Sequence, residues 1–322
     1  MDLPNSSARL WPWRRIAAAL VCLVLLAGSA GSAKAFYEYS GVRVGPNDYN
    51  IPAWELRNFP SKWLFAAGQL FRHRTSVEEQ DADLQRFFQL SREIDTLEQR
   101  QGDATSRGAP AEGDLALLRD KREQRDRIEN RVEATLEARL TAAIEQAGVT
   151  RDLGPLGQIV WPPVDFEFTR SPRTLAISPR DHIELKDSKL LHEGLNIEAV
   201  EKIEADTARR ENVSTLAFLT GGIGAYPTIV DYAGSYREAL EAVAHEWTHN
   251  YLSFRPLGIN YYRNAALRSI NETVADLVGH ELAAIVLDRW PLQSPVADAT
   301  TGPPERPRPD PSRVDLGAEL RN

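Results

Sequence analysis

His245 and His249 stand four residues apart in the run AHEWTHNYL, residues 244–252. On a helix this spacing sends both imidazoles from one face about one turn apart, as two ligands of a single small ion require. Glu246 follows the first histidine, displaced by about a hundred degrees round the helix. From there its carboxylate can sit beside an open coordination position and take a proton from a water held in it. Downstream, INETVADLVG (270–279) supplies Glu272 on a following helix. That carboxylate completes three protein ligands and leaves one position open, the arrangement of catalytic rather than structural zinc. Asp276 lies one turn beyond Glu272, placed to accept a hydrogen bond from a ligand imidazole and fix its tautomer. The expected cofactor is one Zn2+, inferred from ligand type. Thiolate ligands are excluded, because the only cysteine, Cys22, lies in an apolar stretch near the N-terminus.

AHEWTHNYL followed by INETVADLVG resembles the gluzincin clan of zinc peptidases, the thermolysin-like group with HExxH and a downstream NExxSD or NExxAD helix. The likeness covers roughly residues 235–290, under a fifth of the chain, and its motif pair is specific to the clan rather than to one family. It implies an α+β zincin-like domain with a small mixed sheet and two ligand-bearing helices. It implies His245, His249 and Glu272 as metal ligands, Glu246 as general base, Asp276 behind a ligand, and Asn271 as support for the ligand helix. The activity implied is hydrolysis of peptide bonds, as an endopeptidase acting on a peptide or protein. Such sites also polarise the scissile carbonyl with a Tyr or His donor. Tyr261 and Tyr262 lie between the two ligand helices, where the thermolysin-like pattern places a tyrosine, and one of the two is the candidate.

Two departures from the clan pattern stand out. The aminopeptidase branch carries a GxMEN-type glutamate on the strand before the metal helix, whereas GAYPT (224–228) has no acid. Thermolysin-like enzymes also follow the second ligand helix with a helical lobe that walls the cleft, but here the chain ends 32 residues after Trp290. The far wall is therefore expected to be missing, or to come from another part of the chain.

The elements that must hold this constellation are readable as periodicities. Ser235-Tyr236-Arg237-Glu238 is a capping box that opens a helix running to Phe254, before Arg255-Pro256 ends it. Leu240, Val243, Ala244, Trp247 and Tyr251 form its apolar stripe. A second helix runs from about Leu267 to Trp290, with His280 on a face similar to that of Glu272 and read as a core or supporting histidine. Residues 164–169, 173–178, 215–220 and 227–232 alternate as half-buried strands, with a helix over 196–210 between the pairs. Gly221–Tyr226 leads into the strand ahead of the metal helix, as a close-approach segment beside a substrate backbone or as a plain turn. His73, His182 and His192 have no companion pattern.

Two apolar-periodic segments, 76–101 and 115–147, read as a long antiparallel helical hairpin joined by the polar stretch GDATSRGAPAEGD (102–114). RDKREQRDRIEN (119–130) is charged on nearly every side. It reads as a solvated helix projecting from the body, or as an adaptor surface for a protein partner.

The remaining expectations concern targeting and class. Arg14 and Arg15 precede an apolar run from Ile16 to Ala27, then small residues and Ala33-Lys34-Ala35, the grammar of an export signal. Cleavage near Ala35 and retention as a single-pass anchor both place the rest outside the cytoplasm, secreted or membrane-attached. Residues 36–75 carry Trp54, Phe59, Trp63, Phe65 and Phe71 among basic residues, suiting a membrane interface or packing on the body. The full division is 1–35 signal or anchor, 36–75 aromatic segment, 76–148 hairpin, 149–290 catalytic domain and 291–322 disordered Pro-rich tail. Of 322 residues 42% are apolar and 26% charged, as in a folded protein, and the net charge of −8 excludes a nucleic-acid partner. Two competing expectations stay open. One is a membrane-attached coiled-coil interaction protein whose metal domain has lost turnover; the other is a zinc hydrolase of non-peptide amides or esters.

Overall fold

A computed structural model describes residues 47–51, 53–54, 76–106, 112–152 and 157–292. The export signal, most of the aromatic segment and all but the first two residues of the Pro-rich tail lie outside the described residues. The described chain is mixed α+β, with six helices and small sheets. None of its helices is long and apolar enough to cross a membrane.

Val77–Ser106 (α1) and Glu112–Gln146 (α2) form the hairpin, each extending further into the polar stretch between them than apolar periodicity suggests. Their contacts run antiparallel: Lys121 reaches Glu93 at 2.7 Å, Arg131 grips both oxygens of Asp83 at 2.7 and 3.0 Å, and Arg139 meets Asp81 at 2.6 Å. Within the charged run 119–130, Lys121, Arg122 (to Glu98) and Gln124 (to Arg86) are engaged across the hairpin, while Arg119, Asp120, Glu123, Asp126, Arg127 and Asn130 are exposed. Buried Arg139 donates onward to the Tyr236 hydroxyl at 2.9 Å, tying the hairpin to the body.

After the short antiparallel pair Arg151–Asp152 (β1) and Gln158–Ile159 (β2), two three-stranded sheets follow. Phe166–Phe168 (β3) lies parallel to Thr228–Val230 (β8), which pairs antiparallel with Gly222–Ile223 (β7). Arg173–Ser178 (β4) is central to the other, flanked antiparallel by Asp187–Leu191 (β5) and Ser214–Leu219 (β6). Ile197–Glu211 (α3), capped by the Asn196 side chain on the Ala199 N–H, covers that sheet through Ile203. β5 has no apolar alternation to announce it: Lys189 lies buried within it, 3.5 Å from Asp48.

α2 closes the outer edge of β3. The Phe166 N–H donates to Glu137 at 3.1 Å and the Phe168 N–H to Glu133 at 2.7 Å. Alternate strand residues repeat at about 6.7 Å and a helix rises about 6 Å in four residues, so carboxylates at i and i+4 match N–H groups at i and i+2. One core runs through all of this: Phe87, Leu136 and Leu140 of the hairpin, Phe166 and Phe168 of β3, and Leu240, Val243 and Trp247 beyond.

The hairpin also carries a titration that bears on stability. Burial, and next the Glu133 carboxylate, push the Glu129 carboxyl up to about 8, against the opposing pull of Arg125. A carboxyl that is protonated in the folded chain and ionised in the unfolded one makes stability fall as pH rises. Here that window runs from about 4.5 to about 8, at up to about 1.4 kcal/mol per pH unit. Thermal midpoints across this range should decline in the wild type and decline less in Glu129→Gln. Parallel curves for the two proteins would contradict the assignment.

Candidate metal centre

Tyr236–Leu252 (α4) opens on Ser235, whose hydroxyl accepts from the Glu238 N–H at 3.3 Å. Glu238 reaches back to the Gly234 N–H, one residue before the cap. Of the helix's apolar stripe, Leu240, Val243, Ala244 and Trp247 are buried and Tyr251 is half-buried, and the Trp247 indole N–H donates to Pro162 O at 2.8 Å. The helix ends at Leu252, and Pro256 does not merely stop it but starts a further turn, Pro256–Ile259 (α5). Asn264 then caps Ala265–Arg289 (α6), which packs against α4. The two helices approach closely at Gly279, where an added Cβ would stand 3.0 Å from Glu241 O and 3.5 Å from the His245 nitrogen.

This packing brings together His245, His249 and Glu272. The two Nε2 atoms are 3.0 Å apart, and Glu272 Oε2 lies 3.5 Å from the first and 3.4 Å from the second. Tetrahedral ligands about 2.0–2.1 Å from a zinc ion sit about 3.3–3.4 Å from one another, so the triangle has the dimensions of three corners of that polyhedron. The remaining ring nitrogens are already engaged. His249 Nδ1 is hydrogen-bonded to Asn271 Oδ1 at 2.8 Å, and His245 Nδ1 stands 2.8 Å from Asp276 Oδ1 as an ion-pair contact. Both Nε2 atoms turn inward beside a carboxylate oxygen, an arrangement that a shared proton or a metal cation can hold together.

The electrostatics agree. Burial works against charged imidazoles, yet the bonded Glu272 carboxylate, with Glu246 nearby, outweighs it and raises both His245 and His249 above the ordinary histidine value. Burial likewise opposes ionisation of Glu272, but bonds from His245, His249 and Tyr261 hold it well below the usual carboxylate range. Within the cluster the Glu272 carboxylate and the two imidazoles thus favour each other's charged forms.

Glu246 leaves α4 toward β7 and is buried. A Cβ on Gly222 would lie 2.6 Å from Glu246 Oε1 and 2.8 Å from Ile229 O, so the strand approaches the carboxylate as only glycine allows. Burial pushes the Glu246 carboxyl up to about 7. Gly224 makes a similar, looser approach to His249.

Of the two tyrosines, Tyr261 donates its hydroxyl to Glu272 Oε1 at 2.5 Å. Tyr262 stands edge-on to Tyr261, with ring centroids 4.8 Å apart, and is 46% exposed. Burial, and next the bond to Glu272, raise the Tyr261 phenol well above its usual value, so it holds its proton. His280 is not in the core: it is exposed and pairs with Glu241 of α4 at 3.2 Å. His182 sits on the surface between Asp181 and Glu184, and His73 lies outside the described residues.

Sequence spacing placed Asp276 near one of the two imidazoles, and it stands 2.8 Å from His245 Nδ1. The spacing did not show that Asn271 does the same for His249, although the Asn-Glu dipeptide was the available signal. Tyr261 as a partner of Glu272 and Gly222 as a seat for Glu246 needed the fold. A second convergence of carboxylates, Glu129, Glu133 and Glu167, is engaged only in part: Glu133 accepts the Phe168 N–H, while Glu129 Oε2 is buried without a hydrogen-bond partner, 3.9 Å from Arg125. Compared with protein-family models, with curated proteins and with solved structures, the chain matches none, so the reading of this centre stands on its own geometry.

Proposed function

We propose that the chain is a zinc-dependent peptidase, an endopeptidase built on a zincin-like α+β domain. One observation carries the reading: two imidazole Nε2 atoms and one carboxylate oxygen converge at tetrahedral ligand spacing, while oxygens of Asp276 and Asn271 on α6 stand 2.8 Å from the two Nδ1 atoms. A zinc ion bound there supplies Lewis acidity and brings water toward ionisation at neutral pH. His245, His249 and Glu272 hold it, and Asp276 and Asn271 keep the two imidazoles in the metal-binding tautomer. Glu246 receives the proton of the attacking water and returns it to the departing amine, a task suited to a carboxyl pushed up to about 7. Tyr262, which keeps its proton and faces solvent, is the group proposed to donate to the carbonyl oxygen as it gains charge. Export remains the reading of the N-terminal residues alone.

Metal analysis of the purified chain is expected to find about one zinc per molecule. Hydrolysis of an unfolded protein such as casein should stop on chelation and resume when zinc is restored. Absence of zinc, or hydrolysis indifferent to chelation, would sink the proposal. Zinc without any hydrolysis would favour the interaction-protein reading, and cleavage confined to small amides or esters the non-peptide hydrolase.

A further inference from the structure

We infer that Tyr261 is a positioning residue that holds Glu272 to one-oxygen coordination and so keeps a coordination position free for water. The inference rests on the metal reading above. It departs from the expectation that this tyrosine polarises the substrate carbonyl.

The two oxygens of Glu272 have different surroundings. Oε2 faces the histidines at 3.4 and 3.5 Å, while Oε1 accepts the Tyr261 hydroxyl at 2.5 Å. A carboxylate whose second oxygen accepts a strong hydrogen bond presents one oxygen to an ion; with both oxygens free it can close on the ion as a bidentate ligand. Bidentate closure would take up space that the attacking water needs, since zinc sites expand readily from four to five ligands. Glu272 has the freedom to make that change, because its side chain is 40% exposed.

Tyr261 does not have it. Its N–H is bonded to Gly258 O at 3.0 Å in the turn after α5. Its ring stands edge-on to His249, at 6.0 Å and 84°, and edge-on to Tyr262. A ring braced against one ligand thus fixes the orientation of another. Its hydroxyl, spent on Glu272, is not the one that meets a substrate.

The test uses the full chain as wild type, Tyr261→Phe and Tyr262→Phe, with metal binding as the readout. Tyr261→Phe keeps every ring contact and removes one oxygen. Zinc affinity, measured against a competing chelator, should weaken about ten- to hundred-fold in Tyr261→Phe. In the cobalt-substituted proteins its visible bands should lose intensity, as five-coordinate cobalt absorbs more weakly than four-coordinate. Tyr262→Phe should match the wild type in both. Tyr261→Phe with wild-type affinity and spectrum would overturn the assignment, and so would Tyr262→Phe showing the same changes. A wild type that takes up no metal would bring down the metal reading and this one with it. Because no turnover is measured, a chain that binds zinc without cleaving peptides would still decide the role of Tyr261.

Discussion

Glu246→Gln should lower peptide-bond hydrolysis by about 10²- to 10⁴-fold while leaving the zinc content of the protein unchanged. The separation of the two effects follows from placement. Glu246 is not one of the three converging groups; it points from α4 to the strand side and is buried against Gly222. Glutamine fills the same volume and keeps hydrogen-bonding capacity but cannot accept and return a proton. The paired measurement is turnover on a peptide substrate and metal content by elemental analysis. Turnover equal to that of the wild type would mean that the base lies elsewhere. Loss of the metal would mean that the carboxylate acts mainly as part of the ion's cage.

Gly222→Ala is the second large effect. Its Cβ would meet the carboxylate of Glu246 at 2.6 Å and Ile229 O at 2.8 Å. The carboxylate can swing, but the carbonyl belongs to β8 and is fixed by pairing with both neighbours. Either β7 leaves its register or Glu246 leaves its seat. A displacement of about an ångström in a catalytic group costs roughly 10²-fold in rate, and overpacking of this kind costs about 1–3 kcal/mol of stability. Gly221→Ala is the control, because nothing stands within 4 Å of its added Cβ. Steady-state rates and thermal midpoints should fall for the first and hold for the second. Wild-type behaviour of Gly222→Ala would show that the strand and the base are not mechanically linked.

These effects reach unequally far back into the sequence. The Ser235 cap, the apolar stripe of α4 and the His-x-x-x-His spacing are local, so periodicity and capping chemistry suffice to place them. Glu272 and Asp276 are one turn apart on one helix, and that spacing predicted a ligand with an acceptor one turn on. What stayed hidden depends on contacts between elements distant in sequence. The Phe166 and Phe168 amides meet Glu137 and Glu133 across about thirty residues, and Tyr261 meets Glu272 through the turn after α5. β5 was missed because its polar residues, Asp187, Ser188 and Lys189, break the alternation that marks a half-buried strand. His280 was misplaced because eight residues on a helix rotate by about 80° from a whole number of turns, enough to carry it from the packed face to solvent.

The closed edge of β3 has a directional consequence. Of the three strands in that sheet, β3 has its outward N–H groups taken by α2, and β8 is paired on both sides. Among the described residues only β7 is left with an unpaired side, and β7 is the strand that approaches Glu246. An extended chain that docks by backbone pairing therefore cannot choose its berth. The hairpin, by sealing the far margin, makes the sheet one-sided among the described residues, and the open side runs past Glu246, next to the cluster of His245, His249 and Glu272.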